Sequence, residues 1–173
     1  MALRCSLFDE GPPPPCPGVF NLAAHALFAD QRADRTALTV VGAGGAVLER
    51  WSYAALREAV AHGAGGLRAA GLRTGDRVML RMGNVADFPI LFLAAIAAGG
   101  VAVPTSAMLT PPEAAWIARD VGARFVCLGD GFEIDAPGAH VLSGRALADL
   151  RFADPLPPAR TAADDPAFIV YTS

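Results

Sequence analysis

Along this chain the apolar positions change rhythm several times, and each change predicts an element. Val78, Met79 and Leu80 form a short uninterrupted apolar run opened by Gly75-Asp76, as expected of a strand buried on both faces. Phe88, Leu91, Phe92, Ala95 and Ile96 then recur at spacings of three, one, three and one, which predicts a helix with one apolar stripe toward a core. Asn84 or Asp87 offers the side-chain oxygen expected at its start, and Gly99-Gly100 stops it. Val101, Ala102 and Val103 return to an unbroken apolar run, and Pro104 ends it because proline cannot donate to a ladder. Strand, helix and strand in this order predict a βαβ unit. A second unit follows: Thr110-Pro111-Pro112-Glu113 has the form of a capping box with proline in the first turn, Trp116, Ile117 and Val121 give the buried side, and Gly122 precedes an apolar strand over 125–128. With both crossovers right-handed, the strands near Val78, Val101 and Phe125 should lie side by side and parallel.

Upstream, Asn21 caps a short helix whose Leu22, Ala26, Phe28 and Ala29 line one face. Two strand-like runs, 37–41 and 47–51, flank the glycine-rich 42–46 and predict a hairpin. Ser52 caps a helix running to Ala70, with Tyr53, Leu56, Val60, Gly63 and Leu67 on one side and Gly71 as its stop. Gly63, Gly65 and Gly66 weaken that helix by about 1 kcal/mol each relative to alanine, so another element should pack very close to them. Downstream, 140–142 predicts one further short strand, 146–150 a turn or two of helix, and 155–158 a proline-rich connection. The fold class is therefore α/β, a partly parallel sheet with flanking helices built from βαβ units.

Composition narrows the setting. Residues 88–112 carry no charge, yet Gly99-Gly100 and Pro104 interrupt them after about a dozen positions, too soon for a membrane span. A charged fraction of 18% and a hydrophobic fraction of 53% supply an ample core. The mean hydropathy of +0.38 leaves apolar surface that wants a partner. A net charge of −3 with no basic cluster excludes a nucleic-acid partner. Cys5, Cys16 and Cys127 are odd in number and not at metal-ligand spacing, which points to a reducing, cytoplasmic setting; His25 and His62 stand alone and are assigned no role. Residues 1–18 hold five prolines and two glycines and read as a lead-in, leaving 19–173 as the folded part.

The chemistry sits in the last nine residues, DPAFIVYTS. Asp164-Asp165-Pro166 turns the chain, 167–171 is apolar and β-forming, and Thr172 and Ser173 place two hydroxyls where such a strand ends. A strand ending in hydroxyls feeds a phosphate-binding loop when glycines follow, so that backbone N–H groups converge on an anion. Thr172 and Ser173 are the candidate cofactor-binding residues; no catalytic or metal-ligating set is assigned. A noncatalytic α/β module that binds a partner chain is the alternative, and a flavodoxin-like nucleotide binder is disfavoured because no complete phosphate loop follows any strand.

Several segments taken in order resemble the N-terminal part of the adenylate-forming family of acyl- and aryl-CoA synthetases, adenylation domains and luciferases. They are Trp51-Ser52-Tyr53-Ala54-Ala55-Leu56, Gly71-Leu72-Arg73-Thr74-Gly75-Asp76-Arg77-Val78, Asn84 with Phe88, Ala98-Gly99-Gly100-Val101-Ala102-Val103-Pro104, Leu109-Thr110-Pro111-Pro112-Glu113, and the closing run from Asp165 through Tyr171-Thr172-Ser173. The ending resembles the strand leading into that family's Tyr-Thr-Ser-Gly-Thr-Thr-Gly-type phosphate loop, and Phe20-Asn21-Leu22-Ala23-Ala24-His25 looks closest to benzoate-type aryl-CoA ligases. The resemblance implies ATP with Mg²⁺, a carboxylic acid substrate and coenzyme A as thiol. It also implies that 19–173 is an incomplete N-terminal subdomain, truncated at the start of the phosphate loop. Such a piece should bind none of these tightly and be inactive alone, with the remainder of its own polypeptide as its partner.

Overall fold

The computed structural model describes residues 17–28 and 32–172. Most of the proline-rich lead-in, Ala29 and Ser173 lie outside the described residues. The element order is α1 (Leu22–Phe28), β1 (Thr36–Val41), β2 (Val47–Ser52), α2 (Tyr53–Ala69), β3 (Arg77–Arg81), α3 (Asp87–Ala97), β4 (Val101–Pro104), α4 (Pro111–Asp120), β5 (Phe125–Leu128), β6 (His140–Ser143) and α5 (Gly144–Asp149).

Four strands form one parallel sheet in the order β4-β3-β5-β6, with Val78 opposite Ala102 on one side and Phe125 on the other. The expected parallel neighbours are therefore present, and β3 stands between the two strands that follow it. Pleat alternation divides the apolar side chains between two faces. Val78, Leu80, Ala102, Phe125, Cys127 and Leu142 pack with α1, α2 and α3, while Met79, Val103 and Val126 pack with Ala114, Ile117 and Ala118 of α4. β1 and β2 form the expected antiparallel hairpin, turned by a 3₁₀ segment in which Gly44 and Gly45 adopt φ of 76° and 84°. Its Leu38, Val40 and Trp51 lean on the first core.

The glycines of α2 are explained by what crosses them. Residues 150–156 run across this helix, tied by the Leu156 N–H to the Ala61 carbonyl at 2.9 Å and by His62 Nδ1 to the Ala153 carbonyl at 2.6 Å. A Cβ at Gly66 would sit 2.7 Å from the Leu150 Cα, and one at Gly65 would overlap the Asp154 carbonyl oxygen. The same connection continues to Ala159 and Thr161, where Asn21 closes the molecule. Asn21 is buried; its Oδ1 caps α1 by accepting from the Ala23 and Ala24 N–H groups, and its Nδ2 donates to the Ile96 carbonyl at 2.9 Å and the Ala159 carbonyl at 3.1 Å.

Four local expectations are corrected. The buried side of α1 is Ala23 and Leu27, because Asn21 fixes the helix to α3 with that side inward; Ala26 and Phe28 are exposed. Neither Asn84 nor Asp87 caps α3: Ala86 is already helical at φ −58°, ψ −32°, Asn84 is exposed, and Asp87 lies within the first turn, 2.6 Å from Arg151 Nη2. On α4 the buried set is Ala114, Ala115, Ile117 and Ala118, while Trp116 is 55% exposed and stands against Tyr171 instead of in the core. The 167–171 run is not a full strand. It makes one parallel bridge, Phe168 to Ala102, through Ala102 N–H to the Ala167 carbonyl at 3.0 Å and Ile169 N–H to the Ala102 carbonyl at 2.9 Å. The next donor in that ladder is the nitrogen of Pro104, which carries no hydrogen, so pairing stops.

Candidate nucleotide-side rim of the sheet

Parallel strands end on one side, and open α/β sheets bind their ligands outside those carboxyl ends. Here that rim is built from the residues after β3, β4 and β5 together with Tyr171 and Thr172. Thr105 follows β4 and is buried; its Oγ1 donates to the Leu80 carbonyl at 2.7 Å, so this hydroxyl locks β4 to β3 and is not free for a ligand. Ser106 Oγ accepts from the Met108 N–H at 3.1 Å and shapes the loop into α4. That loop ends at Thr110, whose N–H and Oγ1 both donate to the Glu113 carboxylate at 2.7 Å. The side-chain bond first, then the backbone bond, holds the Glu113 carboxyl below the usual carboxylate range.

Between this loop, α4 and the segment beside β4 lies an open cleft of about 510 Å³, lined by Thr105, Ser106, Leu109, Trp116, Tyr171 and Thr172 among others. Tyr171 stands edge-on to Trp116 with ring centroids 6.1 Å apart, and its hydroxyl donates to Asp120 Oδ2 at 2.6 Å. Burial, then that hydrogen bond and the Asp120 charge, pushes the Tyr171 phenol up to about 12. The phenol therefore stays protonated and serves as a fixed donor, anchoring the last described stretch to α4. Thr172 follows, exposed, at the mouth of the cleft.

Of the two candidate cofactor-binding residues, Thr172 is at the rim and Ser173 lies outside the described residues. Among the described residues there is no grouping of three or more His, Cys, Asp or Glu that could hold a metal ion. The chemistry of this donor set fits the outermost contact to a phosphate and no more: one free hydroxyl, with the nearby Glu113 carboxylate already committed to Thr110. Sequence reasoning missed three members of the rim. They are Arg81, buried at the end of β3, the Tyr171–Asp120 bond between residues 51 apart, and Thr105, which ties β4 to β3. The one available signal was Arg81 itself, a lone charge inside the apolar run Val78-Met79-Leu80-Arg81-Met82.

Cys127 on β5 belongs to the core. It is fully enclosed, and burial pushes its thiol up to about 12. We expect iodoacetamide to leave Cys127 unmodified in the native chain and to modify it once denaturant exceeds the unfolding midpoint, read by peptide mapping; native-state modification at the rate of a free thiol would contradict this burial.

A parallel α/β sheet whose carboxyl rim carries a hydroxyl residue at the end of a bridged segment has the architecture in which open α/β sheets bind ligands outside their carboxyl ends. Comparison with known proteins sharpens this: residues 26–173 match the family described as AMP-binding enzyme, and the chain belongs to that family. Long-chain-fatty-acid–CoA ligase FadD13 of Mycobacterium tuberculosis is 36% identical over 143 residues, covering 72% of this chain and 27% of that protein. Among solved structures, ATP-bound MatB from Rhodopseudomonas palustris is similar with a TM-score of 0.73 and 29% identity, covering 88% of this chain and 32% of that one. The N-terminal subdomain of Klebsiella oxytoca NpsA is similar with a TM-score of 0.73 and 25% identity, covering 86% of this chain and 37% of that one. The chain thus spans about a quarter of the length of the curated ligase it matches. No helix among the described residues is long and apolar enough to cross a membrane.

Proposed function

We propose that this chain is the N-terminal portion of an ATP-dependent acid–CoA ligase, with 19–173 the leading part of its AMP-binding domain. In the whole enzyme a carboxylate attacks the α-phosphate of ATP, releasing pyrophosphate and leaving an acyl-adenylate. The thiol of coenzyme A then displaces AMP to give the thioester. Mg²⁺ accompanies the nucleotide. The acid is an aryl or fatty acid, and the setting is the cytoplasm. The observation that supports this reading best is the delivery of Thr172 to the carboxyl rim by a segment bridged to β4 and anchored by Tyr171 to Asp120. In this reading Thr172 and Ser173 begin the phosphate loop, and the catalytic groups belong to the remainder of the polypeptide, which is this chain's physiological partner.

The test is carboxylate-dependent exchange of labelled pyrophosphate into ATP, with benzoate and with medium-chain fatty acids. The 173-residue chain should give the no-protein background, since a lone hydroxyl cannot hold and polarise a triphosphate. The natural reading frame should encode, after Ser173, a loop resembling Gly-Thr-Thr-Gly-x-Pro-Lys-Gly, and its full product should exchange. Exchange by the 173-residue chain alone would overturn the division of labour. A stop codon directly after Ser173, with a monodisperse chain, would favour the noncatalytic partner-binding module instead.

A further inference from the structure

Arg81, the last residue of the central strand β3, is 3% exposed, yet no carboxylate pairs with it among the described residues. By the pleat of β3 it lies on the α4 face, next after Met79 on that side. Its guanidinium is spread between two loops: Nη2 donates to the Leu109 carbonyl at 2.9 Å and Nε to the Glu133 carbonyl at 3.0 Å. The Phe132 ring lies 5.3 Å from its Cζ, and Nη1 is buried without an acceptor. Burying an unpaired cation is costly, and two carbonyls with one ring offset only part of that cost. A side chain serving stability alone would be better replaced by an apolar one.

The two loops give the reason. Leu109 belongs to the connection from β4 to α4, and Glu133 to the connection from β5 to β6. β4 and β5 are the two neighbours of β3. One guanidinium at the end of the central strand therefore holds the loop that follows each flanking strand, and Leu109 lines the same cleft as Thr172. The planar fork of arginine reaches two acceptors at once, which a lysine ammonium on a flexible stem does not do with fixed geometry.

We propose that Arg81 is a positioning residue that presets the carboxyl rim for the nucleotide, an inference that rests on the rim being the ATP side of a ligase. Arg81→Met and Arg81→Lys variants of the chain, ¹⁵N-labelled, test the brace by amide exchange at Leu109, Thr110 and Phe132. Each of these amides is hydrogen-bonded within one of the two loops. In Arg81→Met these amides should exchange about ten-fold faster or more, while core amides such as Val126 keep their protection. Arg81→Lys should hold one loop and release the other. Unchanged exchange in both loops of Arg81→Met, or, if that variant fails to fold, of Arg81→Lys, overturns the proposal. In the polypeptide encoded by the full reading frame, Arg81→Lys should raise KM for ATP about ten-fold and leave kcat within about three-fold. Loosened loops with an unchanged KM would reduce Arg81 to a brace and overturn its positioning role. If the unaltered polypeptide shows no ATP-dependent exchange at all, the ligase reading fails, and the amide data still decide the brace.

Discussion

A Gly65→Ala chain should be unable to keep residues 150–156 on α2, and its unfolding midpoint should fall by the equivalent of about 3 kcal/mol or more. Alanine is the better helix former by about 1 kcal/mol, so propensity alone predicts a gain. Sterics decide the sign. The added methyl would overlap the Asp154 carbonyl oxygen, a backbone atom that cannot swing aside as a side chain can. At Gly66 the obstruction is the Leu150 backbone at 2.7 Å, and a similar loss is expected. Gly63 provides the internal comparison, because its added methyl would meet side chains and no backbone, the Ala94 Cβ at 3.0 Å and the Leu91 Cδ2 at 3.9 Å, where a shift of a few tenths of an ångström offsets the helix gain. Urea denaturation of the three variants should therefore rank Gly63→Ala well above the other two. A Gly65→Ala chain as stable as the parent would mean that 150–156 does not lie on this helix in solution.

Asn21 carries the second large effect, and two variants separate its functions. Asn21→Ala removes the α1 cap, worth about 1 kcal/mol, and strips the buried Ile96 and part-buried Ala159 carbonyls of a donor, for a total of about 2–4 kcal/mol. Aspartate caps a helix as well as asparagine, so a role confined to capping predicts that Asn21→Asp is harmless. We expect the opposite at pH 7. The second aspartate oxygen would face the Ile96 and Ala159 carbonyls, replacing two attractive bonds with two repulsions in a buried site. With its second oxygen facing two carbonyls, that aspartate should favour the protonated form in the native chain, which would raise its folded-state pKa. The stability of Asn21→Asp should therefore be greatest at acid pH and fall as pH rises through the folded pKa. Melting curves at several pH values read this directly. A variant equal to the parent at pH 7 would show that the Nδ2 bonds contribute nothing.

The parts of this fold legible in the sequence are those whose cause is local. The runs Val78-Met79-Leu80 and Val101-Ala102-Val103 are apolar on both pleats because helices cover both faces, and that alone distinguishes them from half-exposed strands. The α2 glycines announced a close crossing, although nothing local said that 150–156 would supply it. What escaped depended on partners distant in sequence. The inward side of α1 is set by where Asn21 finds its acceptors, and the periodicity of seven residues cannot choose between neighbouring stripes. The 167–171 run has every property of a strand, yet its pairing is limited by the donor that Pro104 lacks on β4. At the rim, Thr172 was legible as the hydroxyl ending an apolar run. Arg81 stands out as a lone charge in an apolar run, but its partners do not, because its two acceptors are backbone carbonyls, which leave no mark on residue type.

Two of the bonds beside α1 join residues far apart in sequence: Asn21 reaches Ala159 across 138 residues, and Thr161 Oγ1 reaches the Phe20 carbonyl across 141. Among these elements a ribosome makes α1 first, with the Ile96 acceptor 75 residues after Asn21 and the Ala159 acceptor 138 residues after it. Helix α1 is seven residues long, too short to hold its shape unaided, so it must wait as unstructured chain while β3, α3 and β4 assemble from contacts some two dozen residues apart. During that wait, the groove on α3 that will receive Ala23 and Leu27 stands open. The helix made first among these elements is thus fully tied down only once residues 159–161 have been made, and until then the nascent chain is more exposed to wrong partners.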